Sequence, residues 1–215
     1  TSFNSDISKW DVSSVTNMKI MFRAAKTFDR DISKWDVSSV ETVHGLFWDV
    51  MYFDGDISKW DVSSVTDMGQ LCLNADSFNR DISKWDMSSV KSMLAMLSGA
   101  RLFNGDISNW EVYDVKTMYG MFGDAKSFNS DISKWDVSRV QIMDGTFYHA
   151  AAFNGDLTKW DVSSVTNMAG MFWGAVSFNC DISTWDVSSV TNMNSMFLGA
   201  LRFKQNLCGA PWVHS

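Results

Sequence analysis

Basic residues are scarce where a polyanion would need them. Lysine and arginine number 18 against 25 acidic residues, giving a formal net charge of −7 and a pI near 4.8. Nucleic acids and anionic membranes both require a clustered basic footprint, so neither is an expected partner. Cysteine is scarce too: Cys72, Cys180 and Cys208 are odd in number and follow no metal-type spacing, which argues against a disulfide framework. No run of about 18 apolar residues exists, so no membrane span is expected in this segment. The three histidines, His44, His149 and His214, fall at unrelated places and build no metal ladder, and the one proline, Pro211, lies beyond the last full repeat. Hydrophobic residues still make up 46% and charged residues 20%, enough apolar surface for a continuous core and too much for disorder.

What the chain has in abundance is one motif. Tryptophan recurs at Trp10, Trp35, Trp60, Trp85, Trp110, Trp135, Trp160 and Trp185, a period of 25 with no insertion or deletion. Counted from the phenylalanine that opens each unit, the consensus is F-N-G-D-I-S-K-W-D-V-S-S-V-T-N-M-x-x-M-F-x-G-A-x-S. A fixed period makes the repeat, not the domain, the folding unit. One unit cannot bury its own apolar face, so stability comes from neighbours stacking on it. Residues 1–202 therefore read as one eight-unit array, and 203–215 as a partial or capping coil in which Ala210 stands where tryptophan would.

Within a unit the apolar rhythm changes. Trp10, Asp11 and Val12 alternate in-out-in, as a short half-buried strand does. Met18, Met21, Phe22 and Ala25 then follow at i, i+3, i+4 and i+7, the stripe of a short helix, with Thr16 or Ser14 placed to cap it. The reading is strand, turn, short helix, return: an α/β repeat solenoid with a parallel sheet on one side and helices on the other. Indoles stacked one coil apart, at roughly 5 Å, would form its spine, each burying about 200 Å², or about 5 kcal/mol.

The spacing I-x-x-W-x-V-x-x-V resembles a leucine-rich-repeat strand, and FNGDLTKWDVSSVTNMAGMFWGA at 153–175 resembles the BspA-type leucine-rich repeat, the 26-residue repeat of bacterial surface proteins. The resemblance runs over residues 3–202. It departs from that family in its period of 25 and in the unit at 28–52, where Val43 and Leu46 replace methionine and His44, Trp48 and Tyr52 are added. It implies a right-handed leucine-rich-repeat-like superhelix, a secreted or cell-surface location, and adhesion or protein binding. It brings no catalytic residues.

Two acidic rows run along the array. In the row at Asp6, Asp31, Asp56, Asp81, Asp106, Asp131, Asp156 and Asp181, calcium binding competes with a simpler use, in which each carboxylate accepts backbone N–H bonds in its own turn. The second row, Asp11, Asp36, Asp61, Asp86, Glu111, Asp136, Asp161 and Asp186, lies two residues after a lysine row and two before a serine row. These three rows should share one face, with lysines such as Lys84 and Lys134 neutralising the aspartates beside them. A uniform lattice offers no unique address, so binding specificity is expected where it breaks: Asn109, Glu111, Tyr113 and Asp114, flanked by Asp86, Asp136, Lys84 and Lys134. Exposed aromatic residues are typical anchors, which makes Trp48, Tyr52, Tyr119, Tyr148 and Trp173 a second set, on the helical side.

The recurrent VSSVT offers many serines and no base beside them, so catalysis is not expected, nor is a cofactor. Cys72 sits in a core phenylalanine column and should be inert, whereas Cys180 replaces a turn residue and should be exposed. The expected role is a monomeric, non-enzymatic adhesion or interaction module, a segment of a longer surface protein, with a protein or glycan partner. The alternatives are an ice- or mineral-binding surface on the column Thr16, Glu41, Thr66, Lys91, Lys116, Gln141, Thr166 and Thr191, or a structural spacer.

Overall fold

The computed structural model describes residues 3–207 and 212. The readings placed on Cys208, Ala210, Pro211 and His214 lie outside these residues. Each 25-residue unit makes one coil, beginning at its phenylalanine, and equivalent residues of successive coils lie against one another. Seven single-residue parallel bridges, Asn17↔Thr42 through Asn167↔Asn192, mark that register.

The coil is built from turns. The expected α/β solenoid of parallel sheet and helices does not form: among the described residues there is no helix, and strand pairing is limited to those isolated bridges. The reason is where the backbone donors go. In the segment expected to be a strand, Trp35 and Val40 bond back three residues, to Ile32 and Val37, closing two β-turns. The N–H groups of Ser33 and Ser38 go to the carboxylates of Asp31 and Asp36, at 2.9 and 3.1 Å. Donors consumed locally leave nothing to build a ladder with a neighbour. The in-out alternation still holds, since Trp35 and Val37 are buried and Asp36 is exposed.

The segment expected to be a helix fails for a related reason. Its amides alternate between two destinations: Val43, Gly45, Phe47 and Asp49 donate to Asp67, Gly69, Leu71 and Leu73 of the next coil, while Leu46, Trp48 and Val50 bond back three residues. A helix would direct every amide four residues back within one segment. Two positions per coil, at Ile20 and Ala24 and their equivalents, also have positive φ, for example 59° at Asp49 and 61° at Gly45. Left-handed residues interrupt a right-handed helix. The cap is also displaced by one residue from the expected Thr16: Asn17 Oδ1 accepts the N–H of Lys19 at 2.9 Å, and Asp67 Oδ1 that of Gly69 at 2.8 Å.

The core is a single apolar column threading all coils. Seven tryptophans, Trp35 to Trp185, are 1–5% exposed, and each donates its indole N–H to the main-chain oxygen 28 residues earlier, as Trp135 does to Ile107 at 3.0 Å. Trp10, in the first coil, is 52% exposed and does not belong to this core. The aromatic spine is also phenylalanine more than tryptophan. Phe53, Phe78, Phe103, Phe128 and Phe153 stack from coil to coil at 5.8–6.3 Å, and rings of a second column pack against the phenylalanine that opens the next coil, Phe147 on Phe153 at 3.9 Å. Indoles do stack at Trp110 and Trp135, with centroids 6.1 Å apart, wider than a strand spacing.

A ladder of asparagines stitches the coil starts together. Asn104, Asn129 and Asn154 each accept, through the side-chain oxygen, the N–H of the equivalent residue one coil on, at 2.7–2.8 Å. Residues 203–207 continue the register: Phe203 stacks on Phe178 at 5.7 Å, and Lys204 N–H reaches Asn179 Oδ1 at 2.9 Å.

Candidate functional site

Alternation of the amides fixes which side chains leave the core. In the turn segment, the columns of Met18, Met21, Phe22 and Ala25 point inward, and those of Lys19, Ile20, Arg23 and Ala24 form an outer face. In coils five to seven this face changes character, with YGMFG at 119–123, DGTFY at 144–148 and AGMFW at 169–173. Gly120, Gly145 and Gly170 occupy one left-handed column, φ +58 to +60°, where Ala95 and Ser195 stand in the flanking coils. A Cβ on Gly120 would meet nothing nearer than Ala95 at 3.9 Å, so the missing side chains leave open space.

That space is a groove of about 550 Å³ lined by Tyr119, Tyr148 and Trp173, with Asp124, Asp144 and Asn194 also on its lining. Tyr148 meets Trp173 edge to face, centroids 5.4 Å apart, and is backed by the His149 ring at 4.1 Å. Tyr119 and Trp173 remain 47% and 37% exposed. The two carboxylates differ. Asp124 is paired with Lys126 at 2.6 Å and lies 3.8 Å from His149 Nδ1. Asp144 accepts one amide hydrogen bond, from Asn167 at 3.2 Å, and no cationic side chain among the described residues lies within ion-pair distance of it.

The face expected to carry binding is occupied with itself. Asp6-row carboxylates accept the N–H two residues on, as Asp81 does from Ser83 at 3.0 Å, and the aspartates of the second row do the same, as Asp86 does from Ser88 N–H at 3.0 Å and hydroxyl at 2.6 Å. The serine hydroxyl and N–H hold Asp31, Asp36, Asp86 and Asp136 below the ordinary carboxylate range. Ser83 and Ser133 hold Asp81 and Asp131 low in the same way, and lysine charge adds to this in the first row rather than, as expected, in the second: Lys84 at Asp81 and Lys134 at Asp131. Among the described residues no lysine of that row is ion-paired with the second acidic row.

Asp86, Asn109 and Glu111 do come together around a shallow depression of about 270 Å³. Tyr113 is 39% exposed, but Asp114 is engaged by Arg139 one coil on, at 2.5 Å, so two breaks in the serine column compensate each other. In the column weighed for ice binding, Thr66 and Thr191 turn their hydroxyls onto main-chain oxygens of the preceding coil, at 3.3 and 3.0 Å.

Of the second aromatic set, Tyr119, Tyr148 and Trp173 meet in the groove; Trp48 and Tyr52 stand elsewhere, Trp48 with the Arg23 guanidinium 3.5 Å over its ring. Sequence reasoning missed Asp144 and the glycine floor, although glycine at one column of three consecutive units was a visible signal. Cys72 is fully buried, which drives its thiol pKa up, and Cys180 is half-buried rather than exposed, with the Leu157 N–H on its sulfur at 3.3 Å. No described helix is long and apolar enough to cross a membrane.

Against known families, the profile described as "Mycoplasma protein of unknown function, DUF285" matches residues 1–82, 52–158 and 117–214. No curated protein and no solved structure matches the chain.

Proposed function

The chain belongs to the DUF285 family of Mycoplasma proteins of unknown function, and from that premise we propose that it is a non-enzymatic recognition module, displayed at a cell surface or secreted, that binds a protein or glycan through the outer face of coils five to seven. The observation that carries this reading is the groove: three partly exposed aromatic residues over a floor of glycines. Large aromatic side chains at an irregular, concave place are where binding energy concentrates. The resemblance of residues 153–175 to the BspA-type surface repeat supports the location and the adhesive role.

A panel of immobilised glycans and extracellular-matrix proteins tests it, probed with the wild-type chain, Trp173→Ala and Tyr113→Ala. Binding should fall by about tenfold or more on Trp173→Ala and persist on Tyr113→Ala. The reverse result would return the site to the Asp/Lys/Ser face around Glu111 and Tyr113.

A further inference from the structure

We propose that the groove of coils five to seven is a receptor for a cationic side chain, and that its ligand is an arginine-bearing segment of a partner protein, a reading that rests on the groove being the recognition face. The first ground is charge. Asp54, Asp76, Asp114 and Asp124 each have a cation from this chain beside them: Arg80, Arg101, Arg139 and Lys126. Asp144 has a single amide hydrogen bond and lies on the wall of the groove. A carboxylate left with spare acceptor capacity at a concave, partly desolvated place favours a positive donor over a neutral one.

The second ground is the aromatic lining. A cation within about 6 Å of a Tyr or Trp face is attracted by the ring quadrupole, with Trp the strongest partner. The molecule shows this chemistry one face-length away: Arg23 lies 3.5 Å over Trp48, and both occupy the same column as Tyr148 and Trp173. At Trp48 the chain supplies its own guanidinium. In coils five to seven that column reads Gly123, Tyr148, Trp173, so aromatic rings are present and the cation is not.

Arginine fits better than lysine. A planar guanidinium stacks on a ring while its edge donates two hydrogen bonds to a carboxylate, which a compact ammonium cannot do at once. The glycine floor and the 550 Å³ volume leave room for the side chain and its flanking backbone. The net charge of −7 steers a basic segment toward the chain and repels a polyanion.

The probe is acetyl-Gly-Arg-Gly-amide, titrated into the full chain carrying ¹⁵N-tryptophan, with the Trp173 indole resonance assigned by its loss in Trp173→Phe. Trp173 should shift saturably while buried Trp135 does not. The lysine peptide should bind about threefold more weakly, and the citrulline peptide, a neutral isostere, should give no saturable shift. Affinity for the arginine peptide should fall with rising salt, and by about fivefold in Asp144→Asn, a variant that retains the acceptor for Asn167. Tyr119→Ala should weaken it by about tenfold. Equal binding of the citrulline peptide would overturn the proposal, as would an unchanged affinity in Asp144→Asn. A shift of Trp173 by a neutral trisaccharide with none by the arginine peptide would reassign the groove to glycans. If Trp173→Ala abolishes panel binding while the arginine peptide leaves Trp173 unmoved, the cation assignment alone fails; if panel binding survives Trp173→Ala, the recognition face itself is wrong.

Discussion

Trp135 donates its indole N–H to the main-chain oxygen of Ile107, one coil earlier, at 3.0 Å. The bond turns a bulky hydrophobic side chain into a rivet between coils: the Ile107 carbonyl also accepts the Trp110 N–H of its own turn at 3.2 Å, and the indole of the next coil takes its second lone pair. Trp135 is 3% exposed, so water cannot replace the donor. Trp135→Phe should cost about 1–3 kcal/mol, combining one lost buried hydrogen bond with lost ring volume. Trp10→Phe, on a ring 52% exposed, should cost under about 0.5 kcal/mol. Denaturant midpoints of the two variants check the contrast; equal losses would mean the indole bonds do not hold the coils together.

Left-handed positions separate two glycines that look alike in sequence. Gly120 and Gly174 both have positive φ, +58° and +69°. A Cβ on Gly120 meets only Ala95 at 3.9 Å, whereas one on Gly174 would overlap the His149 imidazole. Gly120→Ala should therefore cost only the backbone term, about 1–2 kcal/mol. Gly174→Ala should cost more, and His149→Ala in the same chain should recover the excess. Thermal unfolding of the two single variants and the double variant measures the coupling; additive losses would contradict the overlap.

Much of the packing was legible and most of the conformation was not. Burial follows hydrophobic pattern, and the residues marked as inward, such as Ile32, Trp35, Val37, Met68 and Phe172, are inward. An i, i+3, i+4, i+7 stripe, however, fits any chain that returns to the core with that spacing, and here a string of turns does so. The clue against a helix lay in Gly145, Asp49, Asn74 and Gly170, residue types suited to positive φ, standing in two fixed columns. The strand reading failed because Asp31 and Asp36 compete for the amides a sheet would need. The lattice breaks around Tyr113 were found, but sequence could not show that Asp114 and Arg139 neutralise each other, since they are 25 residues apart. Tyr119, Tyr148 and Trp173 were marked individually; that they share one groove depends on a glycine floor whose meaning appears only when coils stack.

The asparagine ladder makes a prediction in which charge matters less than acceptor geometry. Asn129 Oδ1 takes the Asn154 N–H at 2.7 Å, while in an earlier coil Asp54 does the same for Asn79 at 3.4 Å. Asn129→Asp should thus be nearly neutral, and Asn129→Leu should cost about 1 kcal/mol by stranding the Asn154 amide. Hydrogen exchange at the Asn154 amide gives a local readout: faster exchange in the leucine variant only. Equal acceleration in both variants would show that the amide nitrogen, not the oxygen, does the work.

Acid should loosen the whole stack at once, because the same carboxylate cap recurs in every coil. The serine hydroxyl and N–H two residues on bind the ionised form of Asp31, Asp56, Asp81 and Asp136, and hold each folded pKa below the ordinary 3.8. A folded pKa below the unfolded one means the unfolded chain binds more protons as pH falls, so the caps' contribution is fully present above the ordinary carboxylate pKa and lost as pH drops through the depressed values. Urea midpoints should therefore hold steady between about pH 7 and 5 and fall progressively below about pH 4. Ser33→Ala removes the largest influence on Asp31, so its folded pKa should rise towards 3.8, as followed by carboxyl NMR titration. A stack whose urea midpoint stays level down to about pH 2 would show that the aspartate caps add nothing to the fold beyond filling their turns.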